Sequence, residues 1–94
     1  MSLRVRYTVR AVGDLKRLAR YIEADVLTAA RQVARRIRER CDSLADFPDQ
    51  GRPIPGGQRR VLVITGTPYL AFYRITGETI TILHIRHGRQ RPQH

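Results

Sequence analysis

Seven cationic side chains crowd the C-terminal part of this chain: Arg59, Arg60, Arg74, Arg86, His87, Arg89 and Arg91, with Tyr69 and Tyr73 interleaved among them. Metal-free cleavage of RNA needs a base for the 2′-hydroxyl, a cation for the crowded anionic phosphorane and an acid for the leaving oxygen. Arg74, Arg86 and His87 are the members of this set with the chemistry to supply them. The plainer reading of the same residues is a binding patch for an anionic target, with no bond made or broken. Residue types and spacing leave both open.

Other chemistries find less support. His84, His87 and His94 with Cys41 suggest a metal only by type, because His84 and His87, three apart on a strand, point to opposite faces. Cys41 falls within the apolar stripe of a helix, so no metal site is expected. Gly56-Gly57 lacks the Lys-Ser/Thr of a phosphate-binding loop, and no Gly-x-Ser-x-Gly is present. Glu78 falls in a turn, and Asp46 and Asp49 flank Phe47-Pro48 where capping or turn roles suffice. No cofactor is implied.

The charge balance narrows the class of partner. The chain of 94 residues carries a formal net charge of +10, and every cation of the Lys/Arg set except Lys16 is arginine. Beyond Gly51 the only acidic residue is Glu78. A one-signed excess of forked, permanently ionised groups predicts attraction to nucleic acid, a nucleoprotein or an acidic protein. The length sets one domain with one modest core. A single cysteine forbids an intrachain disulfide, and no apolar run approaches membrane-spanning length, so a soluble cytoplasmic protein is expected.

The elements that must position those cations follow from hydrophobic period. Leu3, Val5, Tyr7 and Val9 alternate with Arg4, Arg6, Thr8 and Arg10, predicting a strand over 3–9. Leu15, Leu18, Ala19 and Ile22 then recur at helical spacing, with Asp14 expected in the first turn. A second helix follows to about Ala45, its stripe made of Ala30, Val33, Ala34, Ile37, Cys41 and Leu44, with Asp25 or Thr28 as N-cap. The two form a helical hairpin over 11–45. The segment 46–57, with three prolines and three glycines in Phe47–Gly57, reads as a loop. Strands at Arg59–Thr65, Tyr69–Ile75 and Thr79–Arg86 make a meander over 59–87, with turns at Gly66-Thr67-Pro68 and Thr76-Gly77-Glu78, and a basic tail covers 88–94. The expected fold is α+β in the order β-α-α-β-β-β: an antiparallel sheet covered on one face by the helical hairpin and open on the other.

That order resembles the ParE/RelE superfamily, the toxin halves of bacterial type II toxin–antitoxin (plasmid stabilisation) modules. The resemblance is carried by Asp14-Leu15…Tyr21-Ile22, by Phe47-Pro48-Asp49-Gln50-Gly51-Arg52, and by Tyr69…Phe72-Tyr73-Arg74-Ile75 followed by Ile82-Leu83…Ile85-Arg86-His87-Gly88-Arg89. It implies a cognate acidic antitoxin that folds over the toxin. RelE-like members cleave mRNA on the ribosome, whereas ParE-like members poison DNA gyrase. Tyr69-Leu70 stands where the nuclease branch often has Tyr-Arg, and no tyrosine follows Gly88-Arg89-Gln90-Arg91-Pro92. The His87-Gly88-Arg89 ending is closer to ParE-like sequences. The resemblance therefore implies a gyrase poison first, with an mRNA endonuclease or a non-toxic antitoxin-binding relative as the alternatives.

Overall fold

Thr8 is where the first strand becomes the first helix. In the computed structural model, which describes residues 2–22 and 27–88, β1 spans Arg4–Tyr7 and α1 spans Val9–Ile22. The Thr8 hydroxyl accepts from the Ala11 backbone N–H at 3.0 Å, a helix N-cap that ends the strand earlier than the alternation through Val9 predicts. Asp14 consequently falls in the second turn rather than the first, which has no acidic residue. Helix α2 spans Leu27–Asp42 and tightens into a 3-10 turn at Ser43–Ala45. Its predicted stripe is inside: Ala30, Ile37, Cys41 and Leu44 are fully buried. Of the two N-cap candidates, Asp25 lies outside the described residues, as does most of the basic tail.

The sheet has five strands in the order β1-β5-β4-β3-β2, with β2 at Arg52–Pro53, β3 at Arg59–Val63, β4 at Tyr69–Thr76 and β5 at Thr79–His87. The meander is antiparallel as expected, but β1 runs parallel to β5, from Arg4 opposite Thr79 to Tyr7 opposite Ile82. The sheet is therefore mixed, not wholly antiparallel. The helical hairpin serves as part of the crossover that a parallel pairing requires. The segment predicted as a loop contributes β2, where Pro53 sits opposite Arg60 on an outer strand, a position that tolerates a residue with no N–H to donate.

One irregularity sets the phase of the last strand. Phe72 of β4 pairs with His84, but the next residue, Tyr73, pairs with Ile82, so Leu83 is an extra residue in β5. Ile80 and Ile82 face the helices, and after the bulge Ile85 does. α1 holds this bulge in place. The Thr8 hydroxyl donates to the Leu83 carbonyl at 2.7 Å, the Thr8 N–H donates to the Ile82 carbonyl at 3.1 Å, and the Ile85 N–H donates to Asp14 Oδ2 at 2.9 Å.

Between sheet and helices, Leu62, Ile64, Ala71, Tyr73, Ile80, Ile82 and Ile85 meet Ala11, Leu18, Ile37, Cys41 and Leu44. Tyr73 is the largest fully buried side chain, and its hydroxyl ties the long loop to the sheet. It donates to the Pro48 carbonyl at 2.7 Å and accepts from the Gly51 N–H at 2.9 Å. Gly51 is pressed so closely that a Cβ would lie 2.6 Å from the Tyr73 ring and 2.8 Å from the Val61 carbonyl oxygen.

Replacing Tyr73 by Phe should lower unfolding stability by about 1–3 kcal/mol, because the Gly51 N–H and Pro48 carbonyl lose their partner. Gly51→Ala should also destabilise, and both would appear as a lower urea midpoint at an unchanged m-value. Asp14→Ala, which orphans the Ile85 N–H, should cost a similar about 1–3 kcal/mol, whereas Asp14→Asn, which keeps an acceptor oxygen, should cost less.

Candidate anionic-partner interface

Two helices cover one face of the sheet, and the other is built from the alternate residues of four strands. The strand register aligns Arg59 of β3 with Arg74 of β4, Arg74 with Thr81 of β5, and Thr81 with Arg6 of β1. Successive strands lie about 4.8 Å apart, so this row runs roughly 14 Å across the open face with a cation on three of four strands. The next row places Val61, Phe72 and His84 side by side. The row beyond it holds Val63, Leu70 and Arg86.

Phe72 is the centre of this surface. Its ring stacks on His84 with centroids 4.4 Å apart and planes within 10°, and the Arg86 guanidinium carbon lies 5.0 Å from the ring centroid. Imidazole and guanidinium thus shield the aromatic ring, leaving Phe72 9% exposed. His84 Nδ1 and Arg86 Nε are buried without a hydrogen-bond partner among the described residues. Burial holds the His84 imidazole below its ordinary pKa, and the positive charges of Arg10, Arg86 and Arg59 act in the same direction against the opposing Asp14.

Among the described residues no ion pair joins Arg6, Arg59, Arg74 or Arg86 to a carboxylate; the two ion pairs are Asp14–Arg17 and Asp49–Arg60. Arg59 and Arg74 stand directly opposite each other, an arrangement that costs stability in isolation. Such a row is chemically suited to phosphates or carboxylates presented along an extended partner. Among the described residues, no three His, Cys, Asp or Glu side chains gather to hold a metal ion.

The seven cations singled out in the sequence are divided by the fold. Arg59, Arg74 and Arg86 share the open face. Arg60 is on the helix side, donating to the Gly51 carbonyl at 2.6 Å and pairing with Asp49 at 3.5 Å, where it holds the loop. His87 packs edge-on to Tyr69, centroids 5.3 Å apart, so it does not join Arg74 and Arg86. Arg89 and Arg91 lie outside the described residues. The open face adds Arg6, Phe72 and His84. The signal for His84 is the change of phase in Ile80-Thr81-Ile82-Leu83-His84-Ile85: the isoleucines move from even to odd positions, which marks a bulge and turns His84 outward.

Residues 5–92 match the profile of the ParE toxin of the type II toxin–antitoxin system parDE. The chain belongs to the ParE toxin family. Its relatives include toxin Y4kP of Sinorhizobium fredii, 39% identical over 87 residues that cover 93% of this chain and 90% of that protein. Toxin RelE2 of Caulobacter vibrioides is 33% identical over 84 residues, covering 89% and 93%. The fold is similar to that in a chromosomal ParDE toxin–antitoxin system from P. aeruginosa, with a TM-score of 0.80 and 25% identity over 92% of this chain and 96% of the other. The β-α-α-β-β-β order read from the sequence is therefore that of the ParE toxin fold, with the short β2 added.

Because the folded ParE-family chain resists protonation of His84, its stability should fall with pH. The contribution is fully present above the ordinary histidine value near 6.5 and is lost as pH drops through that value towards the lower folded one. Melting temperatures measured from pH 8 to pH 5 should decline on the acidic side, and His84→Phe should flatten that part of the curve. An identical slope in the variant would mean that other groups cause it.

Proposed function

We propose that this ParE-family toxin arrests growth in the cytoplasm by poisoning DNA gyrase, and that a cognate acidic antitoxin neutralises it. The supporting observation is the open face: a row of arginines without carboxylate partners among the described residues, beside a shielded aromatic centre. Such a surface offers affinity and shape, which a poison needs, and no tuned acid–base pair is required of it. Arg59, Arg74 and Arg86 are the target-contacting residues in this reading, with Arg6 and His84 beside them. The contact is electrostatic, so binding should weaken with salt.

A second reading, ribosome-dependent mRNA cleavage, draws on one observation. His84, whose pKa burial and neighbouring arginines lower, is the proton acceptor in this reading, with those arginines to stabilise the phosphate. His87, on the other face, is not.

Inducing the toxin without its antitoxin and pulse-labelling DNA and protein in one culture separates the two. DNA synthesis should stop first, with a DNA-damage response, and Arg59→Glu combined with Arg74→Glu should abolish the arrest. Protein synthesis stopping within minutes while replication continues would transfer the assignment to the nuclease reading and to His84. Absence of any arrest would leave a non-toxic antitoxin-binding relative.

A further inference from the structure

We infer that Phe72 is a covered stacking site for a nucleobase, and that Arg86 is its lid, leaving the ring for a flanking phosphate when a single nucleic-acid strand binds. The inference rests on the open face being the target-contacting surface, as proposed above, and names the chemistry of what it contacts.

The lid is poorly satisfied where it lies. The Arg86 guanidinium carbon is 5.0 Å from the Phe72 ring centroid, yet its Nε is buried with no hydrogen-bond partner among the described residues. Attraction to the ring offsets part of that loss, but a donor left unmade in a guanidinium is a standing cost. A phosphate oxygen gives the donor a charge-assisted acceptor, and among the described residues no carboxylate pairs with Arg86 to compete. Once Arg86 moves to the phosphate, part of the Phe72 ring is uncovered. His84, stacked on Phe72 at 4.4 Å and within 10° of parallel, keeps that ring in place. A base can then take the position of the guanidinium, since every base has a face that stacks on an aromatic ring.

The neighbouring rows supply what the rest of the strand needs. Two residues along the strands, about 6.8 Å away, Arg59 and Arg74 stand ready for the next phosphate. On the other side, Val63, 52% exposed, and the half-buried Leu70 form an apolar floor for a second base. Arg10, Arg86 and Arg59 all act against protonation of His84, so positive charge surrounds the stack. Asp14, which opposes them, is engaged by the Ile85 N–H and Arg17.

This combination selects the class of ligand. The carboxylates of an acidic peptide would satisfy the arginines and leave Phe72 covered. A duplex keeps its base faces stacked on one another. A single strand presents phosphates and unstacked bases together, which is what an arginine row beside an aromatic ring can hold.

The test uses the purified full-length toxin, free of antitoxin, and a short single-stranded oligodeoxynucleotide carrying a fluorescent purine analogue whose emission is quenched by stacking. Binding should quench the emission. The same strand with abasic positions should bind roughly tenfold more weakly, a result that depends only on the unaltered toxin. Phe72→Leu, which keeps an apolar side chain on the sheet, should lower the affinity of the intact strand to the abasic value. Arg86→Ala should reduce the slope of log affinity against log salt by about 0.7, one phosphate contact in a single strand, while quenching persists. Equal affinity for intact and abasic strands, or a complex without quenching, overturns the stacking site. An unchanged salt slope in Arg86→Ala overturns the lid. Failure of every strand to bind at low salt overturns the inference and leaves the gyrase reading to the pulse-label experiment, which needs no base contact. The same sequence made as RNA separates the sources of the strand: tighter binding of DNA accords with a DNA gate, and tighter binding of RNA with a message.

Discussion

The structure depends on the way the start of α1 holds the middle of β5. β1 ends at Tyr7, leaving the later part of β5 without a neighbouring strand on that side. The hydroxyl of Thr8 and the carboxylate of Asp14 take over the pairing that a longer strand would have provided. They do so where Leu83 is inserted, and the insertion decides which side chains of the remaining strand face the helices. Ile85 is then buried, and His84 and Arg86 are delivered to Phe72. A capping threonine and a second-turn aspartate thus connect the helical layer to the chemistry of the opposite face.

The second constraint is size. A chain of this length can form a helical layer for one side of a five-stranded sheet, and the other side has to remain tolerable in water. It does so with long cationic side chains whose stems lie on the sheet and with a phenylalanine covered by imidazole and guanidinium. Opposed arginines weaken the isolated fold slightly. The same opposition means that an anionic partner removes repulsion as well as adding attraction, so part of its affinity is built into the strain of the unbound face.

Much of this was legible in the residues. The helical stripe of α2, the meander and the β-α-α-β-β-β order follow from apolar period and turn residues, and the family pattern is spread through the chain. Three features were hidden for physical reasons. Thr8 satisfies a strand pattern and a helix cap equally well, and only the cap's hydrogen bond decides between them. The parallel pairing of β1 with β5 is a long-range choice that local period does not encode. Arg60 and His87 look like members of the cationic cluster, yet strand parity sends both to the helix side, where Arg60 anchors the Phe47–Gly51 loop. A list of arginines is therefore a poor map of a surface until the bulge in Ile82-Leu83-His84-Ile85 has been recognised.

The pairing of β1 with β5 also governs when the protein can exist at all. β1 is made well before its partner, so this pairing forms only after residues through Ile82 have emerged. Until then the helices lack the isoleucines of β5 to lie on, and Arg6 has no neighbour with which to form a row. A nascent chain halted short of β5 is merely basic. The toxin fold is thus gated by completion of β5, and a prematurely released fragment carries the composition of the toxin without its surface.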